Sequence, residues 1–262
     1  MADLEPAEPR RAVVYIDGLN LYGSALKGST HKWVDLMGVA ATLVPGGAEL
    51  VAVKYFTADL LPYVSEDPDT PRRQRVYLKA LKATGVDVRR GTFMQSTEFR
   101  TVSENESWAV RVVPGLDPAL ADALDAAEEG AVRPWKVRVR LPEEKFTDVA
   151  LGVELVDDFH NDVCEVAVLV TNDADLRPAV AKVVEQGHEV GVFSPASTVS
   201  KHLSRAASWS RPIRDNLLAT HQLPDIVRVD GSQFERPRVW KPENDKSPPR
   251  EAGSEPSRRS AE

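Results

Sequence analysis

The sequence predicts an α/β protein with a mostly parallel sheet covered by helices on both faces. Two observations carry this. Short runs that are apolar throughout alternate with longer amphipathic runs, and the apolar runs are rich in β-branched residues, as in strands buried on both sides. Carboxylates also recur directly after the strongest of these runs, at the strand ends where open α/β sheets place their sites.

The elements follow in order. Ala12–Ile16 is apolar without period and reads as a buried strand. A helix is expected from about Leu19. Leu36–Val44 predicts a second helix, with Asp35 as its N-cap and Pro45-Gly46-Gly47 as its stop. Leu50–Thr57 is a second strand. A loop carrying Pro62, Pro68 and Pro71 leads to a basic amphipathic helix over Pro71–Thr84, ended by Gly85. Its Val76, Leu78 and Leu81 should face the sheet. Val86–Arg89 is a short third strand.

Residues 92–142 are less regular and read as an insertion or flap. Within them Trp108–Val113 and Val132–Leu141 are expected to pair as a hairpin around the acidic, alanine-rich stretch Pro118–Gly130. Regular structure resumes with a helix over Asp148–Phe159 and a strand over Cys164–Thr171. A helix over Leu176–Gln186 ends at Gly187. A strand at Glu189–Phe193 and a helix at Val199–Ser208 follow, and Asp225–Asp230 is a candidate edge strand. From Glu235 the chain is rich in proline, serine and charge, a composition that buries too little surface to order itself. The expected organisation is an extension over 1–11, one domain over 12–234 and a disordered tail over 235–262.

The chain has 262 residues, 42% of them apolar, enough for a sizeable core. No run is long enough to span a bilayer, and the N-terminus lacks the apolar stretch of a signal peptide. The expectation is a cytoplasmic protein with no membrane partner. Cys164 is the single cysteine and cannot form an internal disulfide, so a buried thiol is expected. The net charge of −7 argues against a surface coated in phosphate-binding residues. It does not exclude nucleic acid, because a carboxylate metal site is itself acidic. Basic residues cluster at Arg72, Arg73, Arg75, Lys79 and Lys82, at Arg89 and Arg90, and at Lys136, Arg138 and Arg140. Each cluster alone also reads as a solvated face.

Three features carry the chemistry. Asp17-Gly18-Leu19-Asn20 follows the first strand, where Asp17 alone also serves as a helix cap. Thr171-Asn172-Asp173-Ala174-Asp175 follows the strongest strand. One Asp suffices for capping, and two carboxylates with Thr171 and Asn172 exceed that need. Asp148 lies at helical spacing from Gly152, Leu155 and Phe159, on the face expected to be buried, where a carboxylate is costly unless paired or bound to metal. Asp17, Asp148, Asp173 and Asp175 together predict one cluster at a sheet edge. Such crowding is tolerable when a hard cation such as Mg²⁺ or Mn²⁺ neutralises it. The five histidines lack HxxxH or HExxH spacing, and no P-loop, GxGxxG or GxSxG pattern occurs.

These residues resemble a known family, the NYN domains, a branch of the PIN-like nucleases. VVYIDGLNLYGSAL resembles the family's opening strand, and EEKFTDVALGVELVDDF its Lys-x-x-Asp helix. VLVTNDADLRPAV is similar to its [ST]-x-D-x-D turn, and VGVFSP with HLSRAASWSRPIRDNLLATHQLPD to its closing segments. The resemblance spans residues 12–230. It implies a Rossmann-like, PIN-type sheet and metal-dependent hydrolysis of RNA phosphodiesters that leaves a 5′-phosphate and a 3′-hydroxyl. It places the metal on Asp17, Asp148, Asp173 and Asp175, with Asn20, Thr171 and Asn172 as supporting positions. Lys145 is a candidate to contact phosphate or pair with an Asp, and Arg72, Arg73 and Arg75 to contact the RNA backbone. DNA in place of RNA, a homodimer and a protein partner held by the tail are compatible additions. The competing expectations are a silent metal- or RNA-binding regulatory module and a Toprim-like phosphodiester enzyme, although Toprim domains begin on Glu. A haloacid-dehalogenase phosphatase needs a second Asp at position 19, which is Leu.

Overall fold

The computed structural model describes residues 8–61, 67–102, 135–214 and 216–241. Seven strands form one sheet: β1 (Arg10–Asp17), β2 (Ala48–Ala58), β3 (Asp87–Val102), β4 (Trp135–Lys145), β5 (Val166–Val170), β6 (Glu189–Ser194) and β7 (Trp209–Pro212), in the order β4-β3-β2-β1-β5-β6-β7. All neighbours are parallel except β3 and β4. The α/β class and the mostly parallel sheet are therefore as expected. No helix among the described residues is long and apolar enough to cross a membrane.

The two faces of the sheet bury alternate side chains, as the two-residue period of a strand requires. Val14, Ile16, Val168 and Val170 face α2 (Leu36–Leu43), α3 (Thr70–Ala83) and α7 (Leu217–Thr220). Val13, Tyr15, Ala167 and Leu169 face α4 (Thr147–His160), α5 (Arg177–Glu185) and α6 (Lys201–Ala206). The helix expected after β1 is one short turn, α1 (Gly18–Leu21), running into a π-helical turn at Tyr22–Leu26. Asp35 caps α2 as expected, its Oδ1 accepting from the amides of Met37 and Gly38 at 3.1 Å each. In α3, Leu78 and Leu81 are buried and Val76 packs at the edge of the same core. Cys164 is buried, and its thiol is pushed up to about 11, chiefly by burial.

Four expectations need correction. The third strand is not short: β3 runs 16 residues, and its far half pairs with β4, with Thr92 opposite Lys145 and Val102 opposite Trp135. The predicted partner of Val132–Leu141 was Trp108–Val113, which lies outside the described residues with Pro118–Gly130. β8 (Ile226–Val229) does not extend the main sheet; it pairs with β9 (Ser232–Glu235) as a separate hairpin, and β7 takes the edge. The predicted helix at Val199–Ser208 is shorter, since Trp209 begins β7. Finally, the tail does not begin at Glu235. Arg236 donates to Gln222 at 2.6 Å, and the Trp240 ring lies 6.3 Å from Trp33 and 6.1 Å from Tyr77. A tryptophan buries more apolar area than any other side chain, which offsets the entropy that the polar composition around it costs.

A polar cluster lies between the sheet and α4. Lys54 of β2 donates to Glu154 at 2.8 Å and to Asp158 at 2.7 Å, Tyr15 of β1 donates to Asp158, and Arg89 of β3 donates to Glu154 at 2.6 Å. Burial alone would lower the Lys54 ammonium; the hydrogen bonds and charges of Asp158 and Glu154 outweigh it and raise the group. Three strands are thereby tied to one helix, whose first turn carries Asp148.

Candidate metal centre

Asp17 is the last residue of β1 and is 3% exposed. Its Oδ1 accepts from the Asn20 amide at 2.9 Å, and its Oδ2 accepts from the Thr171 hydroxyl at 2.9 Å. Gly18 follows because nothing larger fits: a Cβ there would lie 2.5 Å from the Tyr55 ring and 2.7 Å from the Phe56 carbonyl oxygen. The chain can therefore turn tightly off β1 and keep Asp17 against the sheet.

The second strand end, after β5, is built around Thr171. Its hydroxyl donates to Asp17 and accepts from the Asp173 amide at 3.1 Å, so one side chain joins the two acidic positions. Asp173 Oδ1 accepts from the Asp175 amide at 2.9 Å, capping the turn that leads into α5. Asn20 Oδ1 accepts from the Asn172 amide at 2.9 Å, and Asn172 Oδ1 accepts from the Ser200 amide at 2.6 Å. The supporting residues read from the sequence thus form a connected scaffold beneath the carboxylates.

The third contribution is Asp148, in the first turn of α4. Carboxylate oxygens of Asp17, Asp148 and Asp173 lie within 4.8 Å of one another. Among the described residues, no ion pair joins any of the three to a lysine or arginine. An all-oxygen set of three carboxylates, one of them buried, suits a hard divalent cation. Asp175 lies outside this trio and is exposed, although its charge still raises Asp148. Lys145 bonds to Glu143 rather than to the cluster. Arg73 is held by Asp67 at 2.6 Å, whereas Arg72 and Arg75 point to solvent from the start of α3.

Sequence reasoning passed over Glu144. Its carboxylate accepts from the amide and hydroxyl of Thr147, capping α4, and its charge acts on both Asp17 and Asp148. The signal was an acidic residue three positions before a threonine at a helix start.

The electrostatics follow from crowding. Burial raises the Asp17 carboxyl, opposed by the hydrogen bonds from Asn20 and Thr171 and reinforced by the Asp173 and Glu144 charges. Asp148 is pushed up to about 6, by burial first and then by Asp17, Asp173, Glu144 and Asp175. A cation bound by Asp148 must displace that proton, so affinity should fall roughly tenfold between pH 7.5 and pH 5 for this group. Calorimetric titration with Mn²⁺ at the two pH values reads this directly; equal affinity would remove Asp148 from the ligand set. In the metal-free protein the same raised carboxyl gives stability the opposite pH dependence. The folded state holds this proton more tightly than the unfolded chain between pH 3.8 and about 6, so stability falls as pH rises through that window.

Residues 120–213 match the family model described as NYN domain. The similarity to an NYN domain lies in those residues. That family is part of the PIN-like superfamily, whose nucleases typically use divalent metals. The match includes Asp148, Thr171, Asn172, Asp173 and Asp175 and stops short of Asp17 and Asn20, which the fold brings to the same edge. A curated relative, the 6-hydroxy-3-succinoylpyridine 3-monooxygenase HspA of Pseudomonas putida, is 28% identical over 242 residues, covering 84% of this chain and 72% of that protein. A solved protein of unknown function from Vibrio parahaemolyticus aligns with a TM-score of 0.39 at 16% identity, over 81% of this chain and 98% of that one.

Proposed function

We propose that the protein is a ribonuclease that hydrolyses RNA phosphodiester bonds with Mg²⁺ or Mn²⁺ held by Asp17, Asp148 and Asp173. The observation that carries this reading is the meeting of three carboxylates, from β1, the start of α4 and the turn after β5, within 4.8 Å. A divalent cation in such a site supplies charge for the phosphate oxygens and acidity for an attacking water. The chain's own residues do the rest. Thr171 and Asn20 hold Asp17 and the Asn172 backbone in place, so the carboxylates are set before substrate arrives. Asp175, which lines the same groove as Asp148, would complete the ligand set or accept a proton from water. Arg72 and Arg75, exposed at the start of α3, would make phosphate contacts that confer affinity without sequence choice. The nuclease unit on this reading runs from residue 12 through the Trp240 lock.

The test uses labelled single-stranded and structured RNA, with matched DNA, in Mg²⁺, Mn²⁺ or EDTA. Cleavage of RNA that requires the cation supports the reading. Intact RNA in every condition, with metal still bound, would replace the enzyme by a silent binding module.

A second reading follows from the curated relative, whose name describes oxygenation of a substituted pyridine. The groove beside the trio, about 730 Å³ in volume, is large enough for such a ring. Oxygen uptake with a hydroxypyridine and a reduced nicotinamide or flavin would support it.

A further inference from the structure

A second cavity, about 360 Å³ in volume, lies among the segments that follow β1, β6 and β7, with α7 as its remaining wall. These segments leave the C-terminal ends of parallel strands, the edge at which open α/β sheets bind ligands. The cavity shares no lining residue with the groove beside the trio. Ser24, Ala25 and Leu26 reach it from the π-helical turn Tyr22–Leu26, which the Lys27 amide closes by donating to the Tyr22 carbonyl at 2.7 Å. Single π-turns are rare and recur at functional sites.

The polar lining is Ser24, Ser29, His31, Ser197 and Arg214. The chain carries a net charge of −7, which repels anions in general, yet among the described residues no aspartate or glutamate lines this cavity. Its polar groups stand on anchored backbone. Ser29 Oγ accepts from the His31 amide at 3.2 Å, which leaves its hydroxyl proton to donate. The His31 carbonyl accepts from Gln222 Nε2 at 3.3 Å. The Ile213 amide donates to the Ser194 carbonyl at 2.8 Å, and the Arg214 carbonyl accepts from the Leu217 amide at 3.0 Å.

A guanidinium, an imidazole and three hydroxyls suit phosphate oxygens. A terminal phosphate offers three such oxygens and nearly two negative charges at neutral pH, more of both than a phosphodiester within a strand. Leu26, Pro195 and Ile213 give apolar contact to whatever carries the phosphate. We propose that this cavity binds the terminal phosphate of an organic phosphate monoester, with Arg214 and His31 as its nitrogen donors and Ser24, Ser29 and Ser197 as its hydroxyl donors. The inference does not rest on the nuclease reading.

Calorimetric titration of the full chain in EDTA keeps any metal at the trio out of the measurement. The probes are inorganic phosphate, adenosine 5′-monophosphate, and one short oligonucleotide in its 5′-phosphorylated and 5′-hydroxyl forms. The monophosphate should bind, and more tightly than inorganic phosphate, because the apolar walls add contact. Arg214→Gln should weaken it at least roughly tenfold, the loss of a charge-assisted hydrogen bond. Ser197→Glu, which brings a carboxylate to the cavity, should abolish binding, and Arg205→Gln on α6 should leave it unchanged. Arg214, Ser197 and Arg205 are all exposed, so the three variants should fold. An oligonucleotide that binds more tightly with its 5′-phosphate than without it would identify a strand end as the source of the phosphate. Equal binding of the two forms, with the mononucleotide still bound, would identify a free small molecule. No binding of either the monophosphate or inorganic phosphate would overturn the proposal, as would equal affinity in the parent and Arg214→Gln, or an equal loss in Arg214→Gln and Arg205→Gln.

Discussion

Asp173→Asn should cut metal-dependent RNA cleavage at least about a thousandfold, equivalent to the several kcal/mol of charge stabilisation that a bound cation contributes. The substitution is chosen for what it preserves. Asp173 Oδ1 accepts from the Asp175 amide, and an asparagine oxygen can accept the same bond, so the turn into α5 keeps its cap. The Asp173 amide still reaches the Thr171 hydroxyl. What is lost is one negative charge from the trio. Circular dichroism and melting should match the parent, and calorimetry should show weakened Mn²⁺ binding. A variant that cleaves at the parent rate would remove Asp173 from the site and the trio from the mechanism.

Lys54→Met should be the most damaging substitution away from the carboxylate trio, at about 3–5 kcal/mol of stability, the cost of leaving a buried charge without its partner. The Lys54 and Asp158 side chains are 10% and 7% exposed, so water cannot replace the lost ammonium. Among the described residues, Asp158 would keep only the Tyr15 hydroxyl, and Glu154 only Arg89. Replacing both partners, as Lys54→Met with Asp158→Leu, should recover most of the loss, because a matched apolar pair avoids desolvating either charge. Urea denaturation of the three proteins measures this, and a loss under about 1 kcal/mol for the single variant would show the cluster to be effectively solvated. The variant bears on the site as well. Asp148 sits ten residues before Asp158 on α4, about 15 Å along a rigid helix, so loosening one end displaces the other.

These two residues divide what was legible from what was not. Asp173 announces itself, because a carboxylate after an apolar strand occupies a position where α/β sheets build sites, and its neighbours exceed what capping needs. Lys54 announces nothing: it reads as one polar residue in an apolar strand, and its partners lie 100 and 104 residues away.

The same division runs through the molecule. The sequence by itself determined the local features: the apolar runs of β1, β2 and β5, the Asp35 cap, the glycine stops of α3 and α5, and the strand-end placement of Asp17 and Asp173. Each depends on periodicity, a capping side chain or a backbone preference, and these act within a few residues. Only the tertiary structure decided that β3 continues into a long antiparallel pair with β4, that Trp240 closes the domain against Trp33 and Tyr77, and that Asp148, not Asp175, completes the trio with Asp17 and Asp173. Those outcomes turn on which distant surfaces meet. Strand pairing, aromatic burial and the convergence of like charges are set by packing across the whole chain, and no window of neighbouring residues contains both partners.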